Sequence, residues 1–135
     1  MIPKFEEVLV DEPAITAIET FMGLSLPSDY RTFLLLGKGG KPEPETWGSA
    51  PREYDFIEFF RPSQLVRQTD RADREIGRLM IAECLTGDHF ALDLNEGAVY
   101  FHKYEHPVDD VDGAYRRVSP SFTEFLDGFH EPTDY

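Results

Sequence analysis

Several short segments of the chain carry residue types that could bind a ligand or catalyse a reaction, and the most glycine-rich of them is Gly37-Lys38-Gly39-Gly40. Glycines combined with a lysine are typical of loops that bind phosphate groups. Such loops have the spacing Gly-x-x-x-x-Gly-Lys-Ser/Thr and connect a strand to a helix. This segment lacks that spacing and follows a predicted helix, so we interpret it as a turn.

A second segment resembles part of a calcium-binding loop. Asp110, Asp112 and Gly113 have the order of acidic residues and glycine found in such loops. Counting along the loop places Val108 at the first ligand position and Ser119 where a bidentate glutamate belongs. Neither residue suits its position, and we interpret the segment as a solvated acidic loop.

Two histidines have the four-residue spacing that places metal ligands on one face of a helix. They are His102 and His106, and Glu105 lies between them. However, His102 ends a predicted strand and Pro107 follows His106, so the two imidazoles share no helical face. The sequence predicts no metal site here beyond adventitious affinity.

Asp88, His89 and Cys84 could together provide an acid–base pair and a nucleophile. Asp88 is better explained by a hairpin turn and His89 by the start of a strand, while Cys84 alternates with apolar residues as core residues do. The chain also lacks Gly-x-Ser-x-Gly, Cys-x-x-Cys and dinucleotide-binding motifs. We therefore predict no catalytic residues and no cofactor. A hydrolase or transferase that gathers these three residues in a cleft is the alternative.

Two amphipathic helices are predicted near the start of the chain. Asp11 can cap the first, which ends at Gly23, and the second runs from Pro27 to Leu36 before Gly37. The residues at helical spacing should face the core; they are Ala14, Ile15, Ile18, Phe21, Met22, Tyr30, Phe33 and Leu34.

The rest of the chain predicts mainly strands. The segment 41–51, rich in proline and glycine, is predicted to be a loop. A strand at 54–60 and a short helix at 62–71, with Ser63 as its cap, are followed by a three-strand meander at 79–85, 89–94 and 97–103. An acidic connection, 104–118, then leads to a final helix. Ser121 and Glu124 form its capping box, and its apolar positions are Phe122, Phe125, Leu126 and Phe129. This order predicts a single α+β domain over 1–135, with a largely antiparallel sheet packed by N-terminal helices and a C-terminal helix.

Composition narrows the class of protein. The net charge of −13 argues against nucleic-acid binding, which depends on neutralising phosphates with Lys and Arg. The segment 61–78 has a local charge of +2, which leaves −15 on the remainder. No apolar run is long enough to cross a membrane and no signal peptide is apparent. With one cysteine, these features predict a cytoplasmic protein, and they do not determine its oligomeric state.

Four segments in this order resemble the SUKH superfamily, which includes bacterial immunity proteins and a fungal cell-wall regulator. The most distinctive is LPSDYRTFLLLGKGG, from Leu26 to Gly40. The others are the helix at 14–22, the hairpin region at 79–100 and the segment Ser121–Leu126. The resemblance implies a non-catalytic immunity protein that binds and neutralises a cognate toxin domain, often a nuclease with a basic surface. A regulatory or scaffolding protein-interaction module is the alternative.

The resemblance transfers no contact residues, so candidate partner-binding residues come from the sequence itself. Trp47 is a candidate anchor because aromatic residues dominate interface hot spots. Two acidic groups accompany it: Glu43, Glu45, Glu53 and Asp55, and a second patch of Asp109, Asp110 and Asp112. We expect these residues, Trp47 included, to matter little for folding. In the alternative interpretations, Trp47 packs over the core and the acids are only solvated.

Overall fold

The computed structural model of the chain describes residues 1–49, 52–103 and 115–132, which form five helices and nine strands. The helices are α1 (Glu12–Met22), α2 (Ser28–Leu35), α3 (Pro62–Gln68), α4 (Arg71–Glu75) and α5 (Phe122–Leu126). The strands are β1 (Lys4–Glu7), β2 (Lys38–Glu43), β3 (Thr46–Ser49), β4 (Arg52–Phe59), β5 (Arg78–Cys84), β6 (His89–Asp93), β7 (Val99–His102), β8 (Tyr115–Ser119) and β9 (Phe129–His130).

The strands form one sheet with the order β1-β2-β4-β5-β6-β7-β8, and β3 pairs with both β4 and β9. Every strand pairing among the described residues is antiparallel. The predicted meander is confirmed as β5, β6 and β7, which β8 extends by one strand. The predicted α+β fold class is therefore confirmed.

Local capping explains where the helices begin and end. The Asp11 carboxylate accepts a hydrogen bond from the backbone N–H of Ala14 at the start of α1, and Gly23 ends that helix with φ 71°. Gly37 follows α2 with φ 76°, and a Cβ there would lie 2.2 Å from the carbonyl oxygen of Val8. Only glycine fits this close approach of the segment before α1 to the end of α2.

One hydrophobic core joins the helices to the sheet. Tyr30 and Phe33 of α2 lie against Phe122 of α5, with ring centroids 4.8 and 4.9 Å apart. In the sheet, Phe56 stacks on Phe90 with centroids 4.9 Å apart. The predicted apolar faces of both N-terminal helices are confirmed, because Ile15, Ile18, Met22, Tyr30, Phe33 and Leu34 are buried.

Several local predictions are wrong. The segment 41–51 contains the end of β2 and all of β3, and β2 begins at Lys38, where we expected a turn. Phe129 lies in β9 rather than in the final helix, and the predicted helix 62–71 ends at Gln68, before α4. In β2 and β3, long-range strand pairing overrides the local preference of proline and glycine. After Gln68, Asp70 caps a separate helix. Strands β1 and β8 were not predicted.

No helix in the described ranges is long and apolar enough to cross a membrane.

Candidate functional site

The β3–β4 hairpin carries most of the predicted partner-binding residues and divides them between two faces of the sheet. Thr46 pairs with Asp55 in the register, and Trp47 pairs with Tyr54. The Thr46 hydroxyl donates a hydrogen bond of 2.8 Å to the Asp55 carboxylate, which places both side chains on one face. Because successive strand residues alternate between faces, Glu53 shares the face of Asp55, and Trp47 lies on the other.

Trp47 is half-buried over the aromatic core. Its indole N–H donates a hydrogen bond of 2.7 Å to the carbonyl oxygen of Phe125, and its ring centroid lies 5.0 Å from that of Phe125 and 5.7 Å from that of Phe90. A Cβ on Gly128 would lie 2.4 Å from the indole nitrogen, so the indole packs directly against the β9 segment. These contacts agree with the alternative interpretation, in which Trp47 packs over the core. These contacts argue against the expectation that Trp47 matters little for folding.

Glu53, Asp55, Ile57 and Leu85 are here called the acidic surface. Leu85 lies beside Asp55, because its backbone N–H donates a hydrogen bond of 2.9 Å to the Asp55 carbonyl oxygen. Leu85 is 68% exposed and Ile57, at an irregularity of β4, is 40% exposed. The acidic surface therefore combines two carboxylates with two exposed aliphatic side chains, a composition suited to contact with a protein.

Glu43 and Glu45 line a different cleft, of about 570 Å3, together with Lys4 and Lys41 near the N-terminus. The Lys41 ammonium lies 2.7 Å from the Glu45 carboxylate, and this contact raises the pKa of Lys41 above its ordinary value. Glu53 and Asp55 do not line this cleft. The four acids predicted to surround Trp47 are thus divided between a cleft of mixed charge and the acidic surface.

The second predicted patch, Asp109, Asp110 and Asp112, lies outside the described residues, as does His106. These aspartates stay candidate partner-binding residues on sequence grounds alone.

Sequence reasoning missed a cleft of about 350 Å3 on the Trp47 side of the hairpin, here called the aromatic–arginine cleft. Its lining comprises Trp47, Gly48, Ser49, Arg52, Tyr54, Arg116, Arg117 and Val118. The Arg116 guanidinium donates a hydrogen bond to the Tyr54 hydroxyl, and its carbon lies 5.1 Å from the Phe101 ring centroid. The adjacent pair Arg116-Arg117 was a signal, but it lay in a segment interpreted only as an acidic connection.

A buried polar network lies where α4 meets the sheet. The Tyr115 hydroxyl donates a hydrogen bond of 2.6 Å to the Asp73 carboxylate, which fixes α4 to β8. Arg78 and Asp93 form an ion pair of 2.5 Å whose side chains are only 14% and 5% exposed. The Arg78 guanidinium carbon also lies 3.6 Å from the Tyr100 ring centroid. The Arg78–Asp93 pair and the Tyr115–Asp73 hydrogen bond join β5 to β6 and α4 to β8, which is a structural role.

Burial shifts several pKa values in and beside this network. It raises the pKa of Asp73, which the hydrogen bond from Tyr115 partly offsets, and it lowers the pKa values of His89 and His102. Shifted pKa values occur in active sites, but structural networks produce them as well. His102 stacks on Tyr115 with ring centroids 4.6 Å apart, so its contacts are those of a packed side chain.

Of the alternative catalytic group, Asp88 and His89 share a cleft, and the Cys84 sulfur lies 3.4 Å from the Asp88 carbonyl oxygen. Asp88 and His89 line a polar cleft of about 470 Å3 with Glu83 and Lys103. Cys84 does not line this cleft; it is buried, pairs with Phe56 and has its sulfur 3.1 Å from the Thr86 hydroxyl oxygen. Within residues 1–49, 52–103 and 115–132, no three His, Cys, Asp or Glu side chains are grouped to hold a metal ion.

The model of the SMI1 / KNR4 family (SUKH-1) matches residues 9–128, which is nearly the whole chain. The chain belongs to this family. Membership in SUKH-1 supports a protein-interaction role, either of the immunity type or of the SMI1/KNR4 type. Among curated proteins, none matches the chain.

Proposed function

We propose that this SUKH-1 protein is a non-catalytic immunity protein that binds and neutralises a cognate bacterial toxin domain. The observation that carries the proposal is the acidic surface, where exposed Leu85 and Ile57 lie beside Glu53 and Asp55. Aliphatic side chains supply the area that a stable interface buries, and carboxylates attract a basic partner and orient it.

A nuclease is the class of toxin that this surface fits best. Nucleases bind phosphates through Lys and Arg, so their substrate clefts are basic. A chain of net charge −13 is attracted to such a cleft over a long range, and an acidic surface with an aliphatic centre can occupy it.

The Asp55 carboxylate is fixed by its hydrogen bond from Thr46 and is therefore oriented before a partner arrives. A fixed carboxylate loses less conformational freedom on binding than a mobile one. The mixed cleft of Glu43 and Glu45 presents less net charge, because Lys41 neutralises Glu45. We therefore place the main contact with the toxin at Glu53 and Asp55 rather than at Glu43 and Glu45.

The test asks whether the protein binds its toxin domain and protects cells from it. The proposed cognate toxin domain, sought first among the genes beside the one for this chain, should form a complex with the purified protein and lose its activity, and co-expression should restore growth. Leu85→Ala should speed dissociation, whereas Leu36→Ala, which truncates an exposed leucine after α2, should not. A neighbouring toxin domain that neither binds nor loses activity would favour the regulatory or scaffolding function instead.

A further inference from the structure

The aromatic–arginine cleft differs in charge from the rest of the molecule. Among the described residues, its lining contains Arg52, Arg116 and Arg117 and no acidic side chain. The whole chain, by contrast, has 26 Asp and Glu residues against 13 Lys and Arg residues. The lining also contains the indole of Trp47 and the phenol ring of Tyr54. Trp, Tyr and Arg are the residues most enriched at interface hot spots. This composition favours a binding site for a negatively charged group attached to an apolar one.

Arg116 lines the cleft and is held there by aromatic side chains, with no counter-ion among the described residues. One N–H of Arg116 is used by the Tyr54 hydroxyl, and the guanidinium also lies over the Phe101 ring. A guanidinium has five N–H donors, and the part of the chain that the structure describes supplies no acceptor for the others. Across the described ranges, Arg52, Arg116 and Arg117 form no ion pair.

The neighbouring aromatic groups leave specific contacts open. The Trp47 N–H is occupied by the Phe125 carbonyl, so the indole offers a ring surface rather than a donor. The Tyr54 hydroxyl accepts a hydrogen bond from Arg116 and keeps its own O–H to donate. A carboxylate beside Arg116 could therefore accept hydrogen bonds from the guanidinium and from Tyr54, while an adjoining apolar group packs on Trp47.

We propose that the aromatic–arginine cleft binds an acidic peptide segment of a partner protein, with an Asp or Glu carboxylate on Arg116. The proposal goes beyond the immunity function, because this site lies on the opposite sheet face from the acidic surface and has the opposite charge. A nucleic acid is a poorer occupant, since its repeated phosphates would extend onto a molecule of net charge −13. A short acidic segment places only a few charges in a cleft of about 350 Å3.

Trp47 reports directly on this site, because it is the only tryptophan of the chain and lines the cleft. The experiment is a fluorescence titration of the full chain with a capped oligoglutamate peptide that ends in leucine. We expect a saturable change in Trp47 emission. Arg116→Gln should weaken binding about tenfold, the effect of one charge-assisted hydrogen bond.

Two further variants separate a site effect from a change of net charge or of folding. Arg52→Gln removes an exposed cleft arginine without touching the Tyr54 contact and should also weaken binding. Arg71→Gln makes the same change of charge on α4, outside the cleft, and should leave binding unchanged. Thermal melts of all three variants identify any loss of folding.

Other probes show what could overturn the proposal. No saturable binding of the peptide, or equal weakening by Arg116→Gln and Arg71→Gln, would contradict it. Inorganic phosphate that competes as strongly as the peptide would indicate a small-anion site instead. Tighter binding of single-stranded DNA would reassign the cleft to nucleic acid. Concentration-dependent self-association that Arg52→Gln abolishes would identify the occupant as a second copy of this chain.

Discussion

Replacing Gly128 with alanine tests the placement of Trp47, on which the separation of the two surfaces depends. The added Cβ would lie 2.4 Å from the indole nitrogen and 2.9 and 3.1 Å from two ring carbons of Trp47. Either the indole moves and loses its 2.7 Å hydrogen bond to Phe125, or β9 moves away from β3. Overpacking costs about 1–3 kcal/mol and a lost hydrogen bond about 1 kcal/mol, so we expect a loss of about 2–4 kcal/mol in unfolding free energy.

The assay is urea unfolding of the wild-type protein and of Gly128→Ala, monitored by circular dichroism. The fluorescence emission of Trp47 is recorded in the folded state of each protein. The emission should shift to longer wavelength in Gly128→Ala, because a displaced indole is more exposed to water. The matched control is the same substitution in a Trp47→Phe background, where the phenyl ring lacks the indole nitrogen. The losses of unfolding free energy caused by Gly128→Ala and by Trp47→Phe should then fail to add by about 1 kcal/mol or more in the double variant. A Gly128→Ala protein with wild-type stability and emission, or additive costs, would refute the placement.

Three more predictions concern the core, the buried network and its titration. Phe33→Ala should cost about 2–5 kcal/mol of unfolding free energy, whereas Leu36→Ala, at an exposed position, should cost less than about 1 kcal/mol. Equal costs in urea melts would mean that Phe33 does not lie in the core. Asp93→Asn should cost about 3–5 kcal/mol of unfolding free energy because it leaves the largely buried Arg78 unpaired. Glu75→Gln, which breaks an exposed pair, should cost less than about 1 kcal/mol. Calorimetry that finds no difference between the two variants would reject the role of the buried pair. Burial lowers the pKa of His102 in the folded protein, so the contribution of His102 to stability is present above its ordinary pKa of 6.5 and is lost as the pH falls towards its folded-state pKa. His102→Asn should reduce that loss of stability in melts between about pH 7 and 5. An unchanged pH dependence would argue against burial of the neutral imidazole.

The helices and the meander could be predicted because their signals are local. Asp11 and Gly23 delimit α1 through contacts within a few residues, and the hairpin turns near Gly87 and Gly97 join strands that are neighbours in sequence. The prediction of a loop at 41–51 was wrong because the signals that determine its structure are not local. The partners of β2 and β3 include β1 and β9, which lie far away in the sequence, and local composition carries no information about them.

The candidate site shows the same limit. Trp47 and Glu53 are close in sequence, and both were assigned to one patch on that basis. In an antiparallel hairpin the face of a side chain depends on register, and the register of Trp47 opposite Tyr54 places Glu53 on the other face. Arg116 reaches the hairpin only through the pairing of β8 with β7, so its contact with Tyr54 could not be read from the sequence.

The most direct test of the proposed function is the association rate of the proposed cognate toxin domain, measured by stopped flow at two salt concentrations. Glu53→Lys and Glu75→Lys change the net charge equally, but only Glu53 belongs to the acidic surface. We expect Glu53→Lys to lower the association rate and its salt dependence clearly more than Glu75→Lys does, because attraction is strongest near the contact. Equal effects of the two variants, or a rate independent of salt, would contradict binding of a basic toxin at the acidic surface.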